Sequence, residues 1–353
     1  MTVQGSNLEP PGWLLSRRSD FWLATGGASV GLLAWILLII FRGDRELDAL
    51  DLVLSEFHLG ATYTIIIQRR LWRHRRSDVL FVPFLILVLT YALSMSGQTI
   101  WLTSIAMVAA VWHRGRQSLG VARFYQRRMG GSVCQLHDRL FRGAIYLPMV
   151  AGMLAYAHLA PEKYEGEPYW ALSVSREMTW FVALATVAWV IAYLAWSRPR
   201  AEPITTTRCG AGKGIHPGER WVVLAHAVAF GSGYLLGASN AAFLLVLAVH
   251  HEVQYLYFTY VMARHYVRPA SLATGKNCDH DLHMNVSNQA GRRLRTMAAE
   301  AGSFFIWPVV GFAGAIAGGW VQWEYLAPLG MGGLFCHYWF DSRIWMTRSV
   351  KQA

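Results

Sequence analysis

The sequence predicts an all-α fold, a polytopic bundle of transmembrane helices, on three observations. Hydrophobic residues make up 54% of the chain and charged residues only 15%. Apolar runs long enough to cross a hydrocarbon core recur along nearly its whole length, which a soluble domain does not show. Lys and Arg are gathered into alternate loops, the positive-inside pattern of a multi-pass membrane protein. The net charge of +11 would suggest nucleic acid in a soluble protein. Here the basic loops account for it, and no nucleic-acid partner is expected.

About ten spans follow from the apolar runs. They cover 21–41, 49–68, 79–96, 99–119, 141–160, 171–196, 219–237, 241–264, 301–321 and 325–346. Pro10, Pro11, Arg17 and Arg18 precede the first span without a small-residue cleavage site, so it reads as an anchor rather than a cleaved signal peptide. Loops 69–77, 123–142, 198–220 and 264–297 are basic, whereas 43–46, 94–98, 161–168 and the links near Ser239 and Trp323 are neutral or acidic. This alternation places both termini in the cytoplasm. It divides the chain into a cytoplasmic segment 1–20, one helical bundle 21–346 and a cytoplasmic tail 347–353. A bacterial inner membrane is the expected location.

Packing signals accompany the spans. Gly233 with Gly237, and Gly314 with Gly318, follow the small-xxx-small spacing that lets helices approach closely. Pro308 is expected to kink the ninth span. The long loop 265–297 has room for a short surface helix around 288–299. Cys134, Cys209 and Cys278 fall in cytoplasmic loops and Cys336 within a span, so no disulfide framework is expected.

The stretch most suggestive of function is Phe243 to Arg264, FLLVLAVHHEVQYLYFTYVMAR. Its apolar start and aromatic, basic end suit a span, yet His250, His251, Glu252 and Gln254 sit in its middle. Titratable groups at bilayer depth are costly unless they face a bundle interior and meet partners. At helical spacing His250, Gln254 and Tyr257 share one face, with His251 and Tyr255 on the adjoining one. A hydrogen-bonded interhelical knot without chemistry would use the same residues.

Other helices supply imidazoles at a matching depth. Counting about 1.5 Å per residue from the span ends, His58, His113, His250, His251 and His337 share one slab from mid-bilayer towards the cytoplasm. His226 reaches a similar level from the opposite direction. Gln117 lies four residues after His113, Gln254 four after His250 and Asp341 four after His337, each on the same face as its histidine. A metal-bound imidazole gives its other N–H to such a partner, and Asp341 is placed to orient His337; pairing with Arg343 at the interface is its alternative. An imidazole set with few thiolates suits iron, zinc or copper rather than magnesium or calcium. The expected ligands are drawn from His58, His113, His250, His251 and His337. Gln117, Gln254, His226 and Tyr257 are expected around them, and Glu252 and Asp341 are the expected catalytic carboxylates.

Weaker signals are read more plainly. Cys278, His280 and His283 lack the second ligand pair of a zinc finger and read as a solvated loop. His74, His137, His216 and His265 fall in basic segments and read as interfacial, and His158 lies at the outer edge of its span. Asp48, Asp51, Ser55, His58 and Thr62 form a polar line along the second span, read as an outer-surface face, a helix start placed too early, or a proton path.

The pattern His337-Tyr-Trp-Phe-Asp341, the doublet His250-His251 and the single intramembrane His58 resemble the membrane-integral carotene-cleaving dioxygenases of the Brp/Blh type. The resemblance rests on these short motifs alone. It implies histidines dispersed over several helices around a non-haem iron, and a lipophilic substrate. The clustered HxxxH and HxxHH boxes of membrane desaturases and alkane hydroxylases are missing from the sequence.

Three classes follow. The first is a metal-dependent membrane oxygenase that takes a lipophilic small molecule from the bilayer, with an electron donor where its chemistry requires one. The second is an electron-transfer protein with bis-His haem, which also needs imidazoles at one level. The third is a proton- or metal-coupled transporter, for which only the polar line speaks, since no internal repeat is evident.

Overall fold

A computed structural model of the chain describes residues 13–39, 58, 61, 62, 66, 76–128, 134–164, 167–198, 215–266 and 323–346. Most of these are helical, and the helices stand where spans are expected. The ninth span with Pro308, Gly314 and Gly318, the surface helix at 288–299, and Asp48, Asp51 and Ser55 lie outside the described residues. So do Cys209, Cys278, His74, His280, His283 and all of the second span except His58, Ala61, Thr62 and Ile66. The chain forms two compact units, one of Met1–Asp51 with Val88–Tyr257 and the other of Leu52–Leu87 with Phe258–Ala353.

The first unit begins with a helical turn, Arg17–Ser19, whose start is capped by the Ser16 hydroxyl. A π-helical turn over Asp20–Ala24 follows. Gly26, at φ +92°, redirects the chain into α1, Gly27–Ile39. After α2, Ser77–Met95, come α3, Thr99–Arg128, and α4, Gln135–Leu159. A two-residue hairpin pairs β1, Lys163–Tyr164, with β2, Glu167–Pro168. Then α5, Arg176–Trp196, is capped by Ser175, and α6, Pro217–Gly237, opens with proline at its first position, where no N–H is needed. A 3₁₀ turn, Ala241–Phe243, leads into α7, Leu244–Tyr266.

Helix α4 is central, packed between α5 and α6, with α3 also against α6. The expected small-residue contacts of α6 receive side chains from α7. A Cβ on Gly233 would meet Leu247 at 2.5 Å, and one on Gly237 would meet Leu244 at 2.8 Å. Gly26 is more constrained. A Cβ there would lie 2.6 Å from His250 Nδ1 and 2.7 Å from the Ala225 methyl, at a φ that side chains avoid. Gly26→Ala is expected to cost about 1–3 kcal/mol and lower the unfolding midpoint of the purified protein. Gly231→Ala, with open space around it, should leave that midpoint unchanged.

In the second unit Ile66, Cys336 and Phe340 form a core joined by Val79, Ile86, Leu87 and Trp339. These last residues come from α2 and from α8, Trp323–Met346. Trp339 Nε1 donates to the Asp78 carbonyl at 2.8 Å, and the Cys336 thiol reaches the Pro83 carbonyl at 3.5 Å.

Among the described residues, α2, α4 and α5 are long and apolar enough to cross a membrane. Leu80, Phe81, Phe84 and Leu89 on α2, and Phe181, Leu184 and Ile191 on α5, are exposed. Continuous apolar faces of this kind suit lipid better than water.

Candidate metal centre

Each unit contains buried imidazoles at the positions that the depth count selects, and each set is held by its own hydrogen bonds. In the second unit His58 and His337 are almost fully buried, and their Nε2 atoms are 2.6 Å apart. The rings meet edge to face, centroids 4.4 Å apart. Thr62 decides which nitrogen of His337 carries the proton. Its hydroxyl donates to Asp341 Oδ1 at 3.0 Å and lies 3.0 Å from His337 Nδ1. A hydroxyl has one proton and an ionised carboxylate can only accept. The Thr62 oxygen therefore accepts from His337 Nδ1–H, and a neutral His337 points the lone pair of Nε2 at His58.

Asp341 reaches His337 through Thr62; its other oxygen is 3.7 Å from His337 Nε2. A carboxylate that fixes a histidine's tautomer, so that the far nitrogen presents a lone pair, is the arrangement that supports metal ligation. Two imidazoles on one tetrahedral ion, with bonds of about 2.0–2.1 Å, stand about 3.3 Å apart. His58 and His337 would have to spread by less than an ångström to reach that separation, so the pair could hold a metal ion.

The first unit separates the His250-His251 doublet by the roughly 100° turn between neighbours on a helix. Towards the N-terminal segment, α7 presents His250, Gln254 and Tyr257, the face expected from spacing. His250 Nδ1 lies 3.2 Å from Ser29 Oγ, and Ser29 donates its own proton to the Gly26 carbonyl at 2.6 Å. His250 must therefore donate from Nδ1, leaving Nε2 to accept from Ser118 Oγ at 3.2 Å. Gln254 donates to the Ala24 carbonyl at 2.7 Å, and Tyr257 donates to Asp20 Oδ1 at 2.6 Å.

On the adjoining face His251 meets His113, ring centroids 4.7 Å apart, with both side chains buried. Gln117 donates to the His251 carbonyl at 2.7 Å and to Gln254 Oε1 at 3.1 Å. The two amides therefore fix the backbone of α7 and each other, rather than an imidazole. Glu252, next to His251 in sequence, is buried. His226 donates from Nε2 to the Ile145 carbonyl at 3.0 Å, with its ring 5.9 Å from that of His250.

The structure also shows polar residues that spacing alone does not reveal. Ser29 and Ser118 occupy both nitrogens of His250, and Thr62 links His337 to Asp341. His137, expected at the interface, is buried, with Nε2 2.7 Å from Glu219 Oε1, which also accepts from Tyr193 at 2.9 Å. His216 is buried too, accepting from the Gly218 amide at the start of α6 while its ring stacks on Tyr125. Apart from the local His216–Gly218 tie, short-range patterns do not point to these ties, because the fold brings the partners together.

No protein-family model, characterised protein or solved structure matches the chain. A functional reading therefore rests on the chemistry of the residues themselves.

Proposed function

We propose that the protein is a multi-pass membrane oxygenase that uses a His-ligated non-haem iron to oxidise a lipophilic substrate with O2. The ligands in this reading are His58 and His337, buried in the second unit; the first unit holds a buried imidazole pair of its own, His113 and His251. The observation that carries it is the Asp341–Thr62–His337 relay, which aims a lone pair rather than an N–H at His58. His250, whose two nitrogens already have hydroxyl partners, serves as support for α7 on this view.

Bound iron would supply the O2 and one-electron chemistry that side chains lack. The chain's own contribution is positional. Thr62 and Asp341 keep the proton of His337 on Nδ1, and the buried Glu252, next to His251 in sequence, is assigned as a base for a substrate proton. The surrounding apolar and aromatic side chains exclude water, which would otherwise compete with the substrate. A dioxygenase places both oxygen atoms in product and needs no reductant; a monooxygenase releases the second as water and requires an electron donor.

Protein loaded with ferrous iron and incubated with a membrane lipid extract under 18O2 should consume oxygen and yield a labelled lipophilic product. Oxygen consumption with no labelled product, or no consumption at all, would count against the oxygenase.

The topology belongs to the same proposal: about ten spans, both termini cytoplasmic, in a bacterial inner membrane. It is supported by the loop-charge alternation and the lipid-suited faces of α2 and α5. Reporter fusions at residues 75, 164, 210 and 275 should report the outside only at 164. An outside signal at 75 or 275 would overturn both the orientation and the common depth of the histidines.

A further inference from the structure

A groove of about 390 Å³ lies beside the N-terminal turn of the first unit, lined by Trp13, Arg17, Arg18, Phe21 and Trp221. Arg17 and Arg18 are exposed, and among the described residues neither guanidinium has an ion-pair partner. The nearest acidic residue in sequence does not neutralise them. Asp20 is fully buried and faces inward, its oxygens taken by the Leu14 and Leu15 amides and by the Tyr125 and Tyr257 hydroxyls. Two cationic forks are thus left facing the groove without an internal counterion.

The groove's walls are aromatic. Phe21 and Trp221 pack edge to face, centroids 5.2 Å apart, with Trp221 43% exposed. Leu15, Trp22 and Leu23 beside it are exposed as well. Exposed Trp and Leu next to arginine mark the depth at which acyl chains give way to headgroups. A solvated basic patch would carry no such apolar rim. Guanidinium groups bind phosphate oxygens through two parallel hydrogen bonds, and basic pockets at helix ends on the cytoplasmic side select anionic headgroups.

We propose that this groove binds the phosphodiester headgroup of an anionic phospholipid, with Arg17 and Arg18 on the phosphate and Trp13, Phe21 and Trp221 against the glycerol and upper acyl chain. The site rests on the chain lying in a bilayer and is independent of any metal.

Native mass spectrometry of the full chain in detergent, titrated with dioleoyl-phosphatidylglycerol, tests it. The expected result is a bound lipid whose affinity falls about thirty-fold in the double variant R17Q/R18Q, as expected for two interfacial charges. The control R116Q/R176Q, which removes two exposed charges elsewhere, should bind it as the unaltered chain does. Phosphatidylcholine should bind weakly to all three, and millimolar inorganic phosphate should not displace the lipid. Equal phosphatidylglycerol affinity in both double variants overturns the proposal, as does equal binding of phosphatidylcholine or displacement by free phosphate. Arg17 and Arg18 are exposed and have no ion-pair partner among the described residues, so an unchanged melting midpoint for R17Q/R18Q separates loss of the site from loss of structure.

Discussion

Replacing Asp20 by alanine should destabilise the protein by about 3–5 kcal/mol, the usual cost of removing one member of a buried, hydrogen-bonded charge network. Asp20 is wholly buried and accepts from four donors: the Leu14 amide at 2.6 Å, the Leu15 amide at 3.2 Å, Tyr125 at 2.8 Å and Tyr257 at 2.6 Å. It thereby ties the N-terminal turn to α3 and α7 at once. Alanine would leave these four donors without their acceptor. Tyr125→Phe removes only one donor and leaves the carboxylate three, so its expected cost is about 1–2 kcal/mol. Unfolding midpoints of the two variants, measured side by side in detergent, check the ordering. Equal midpoints would mean that the carboxylate is not the organising group.

His337→Ala should remove most of the bound metal, and Thr62→Val should weaken metal binding by about 10–100-fold while leaving both imidazoles in place. Valine keeps the shape of threonine but can neither accept from His337 Nδ1 nor donate to Asp341. His337 is then free to carry its proton on Nε2, where it blocks ligation. His158→Ala is the control, since that ring lies at the end of α4, 3.0 Å from the Val174 carbonyl. Metal content after dialysis against a graded chelator distinguishes these variants. If Thr62→Val holds metal as tightly as the unaltered chain, the relay is structural and the tautomer argument fails.

The helices were the most legible part of the molecule. Apolar runs bounded by polar links placed α2, α4, α5 and α6 within a few residues, because length and composition dominate their energetics. α3 runs on to Arg128, beyond the expected end at 119. The polar extension is supported by Arg123 pairing with Asp138 of α4, a contact that no local pattern shows. The histidines that depth counting selected are buried, but so are His137 and His216, which it left at the interface. It could not separate His250 from His251. The two differ through Ser29 and Ser118, which lie 221 and 132 residues away in sequence, and periodicity carries no information at that range. The same limit applies to Gln117 and Gln254, read as partners of imidazoles at i,i+4 and found instead bonded to each other and to backbone. Thr62 stood on a recognised polar line, but its role depends on Asp341 in a distant helix.

Metal content and the visible spectrum of the detergent-purified protein test the central claim most directly. The account predicts about one iron per chain, no Soret band, and loss of that iron in His58→Ala and in His337→Ala with the helical circular dichroism unchanged. Protein that contains no transition metal after expression in iron-replete medium, or that shows a Soret band, would contradict it.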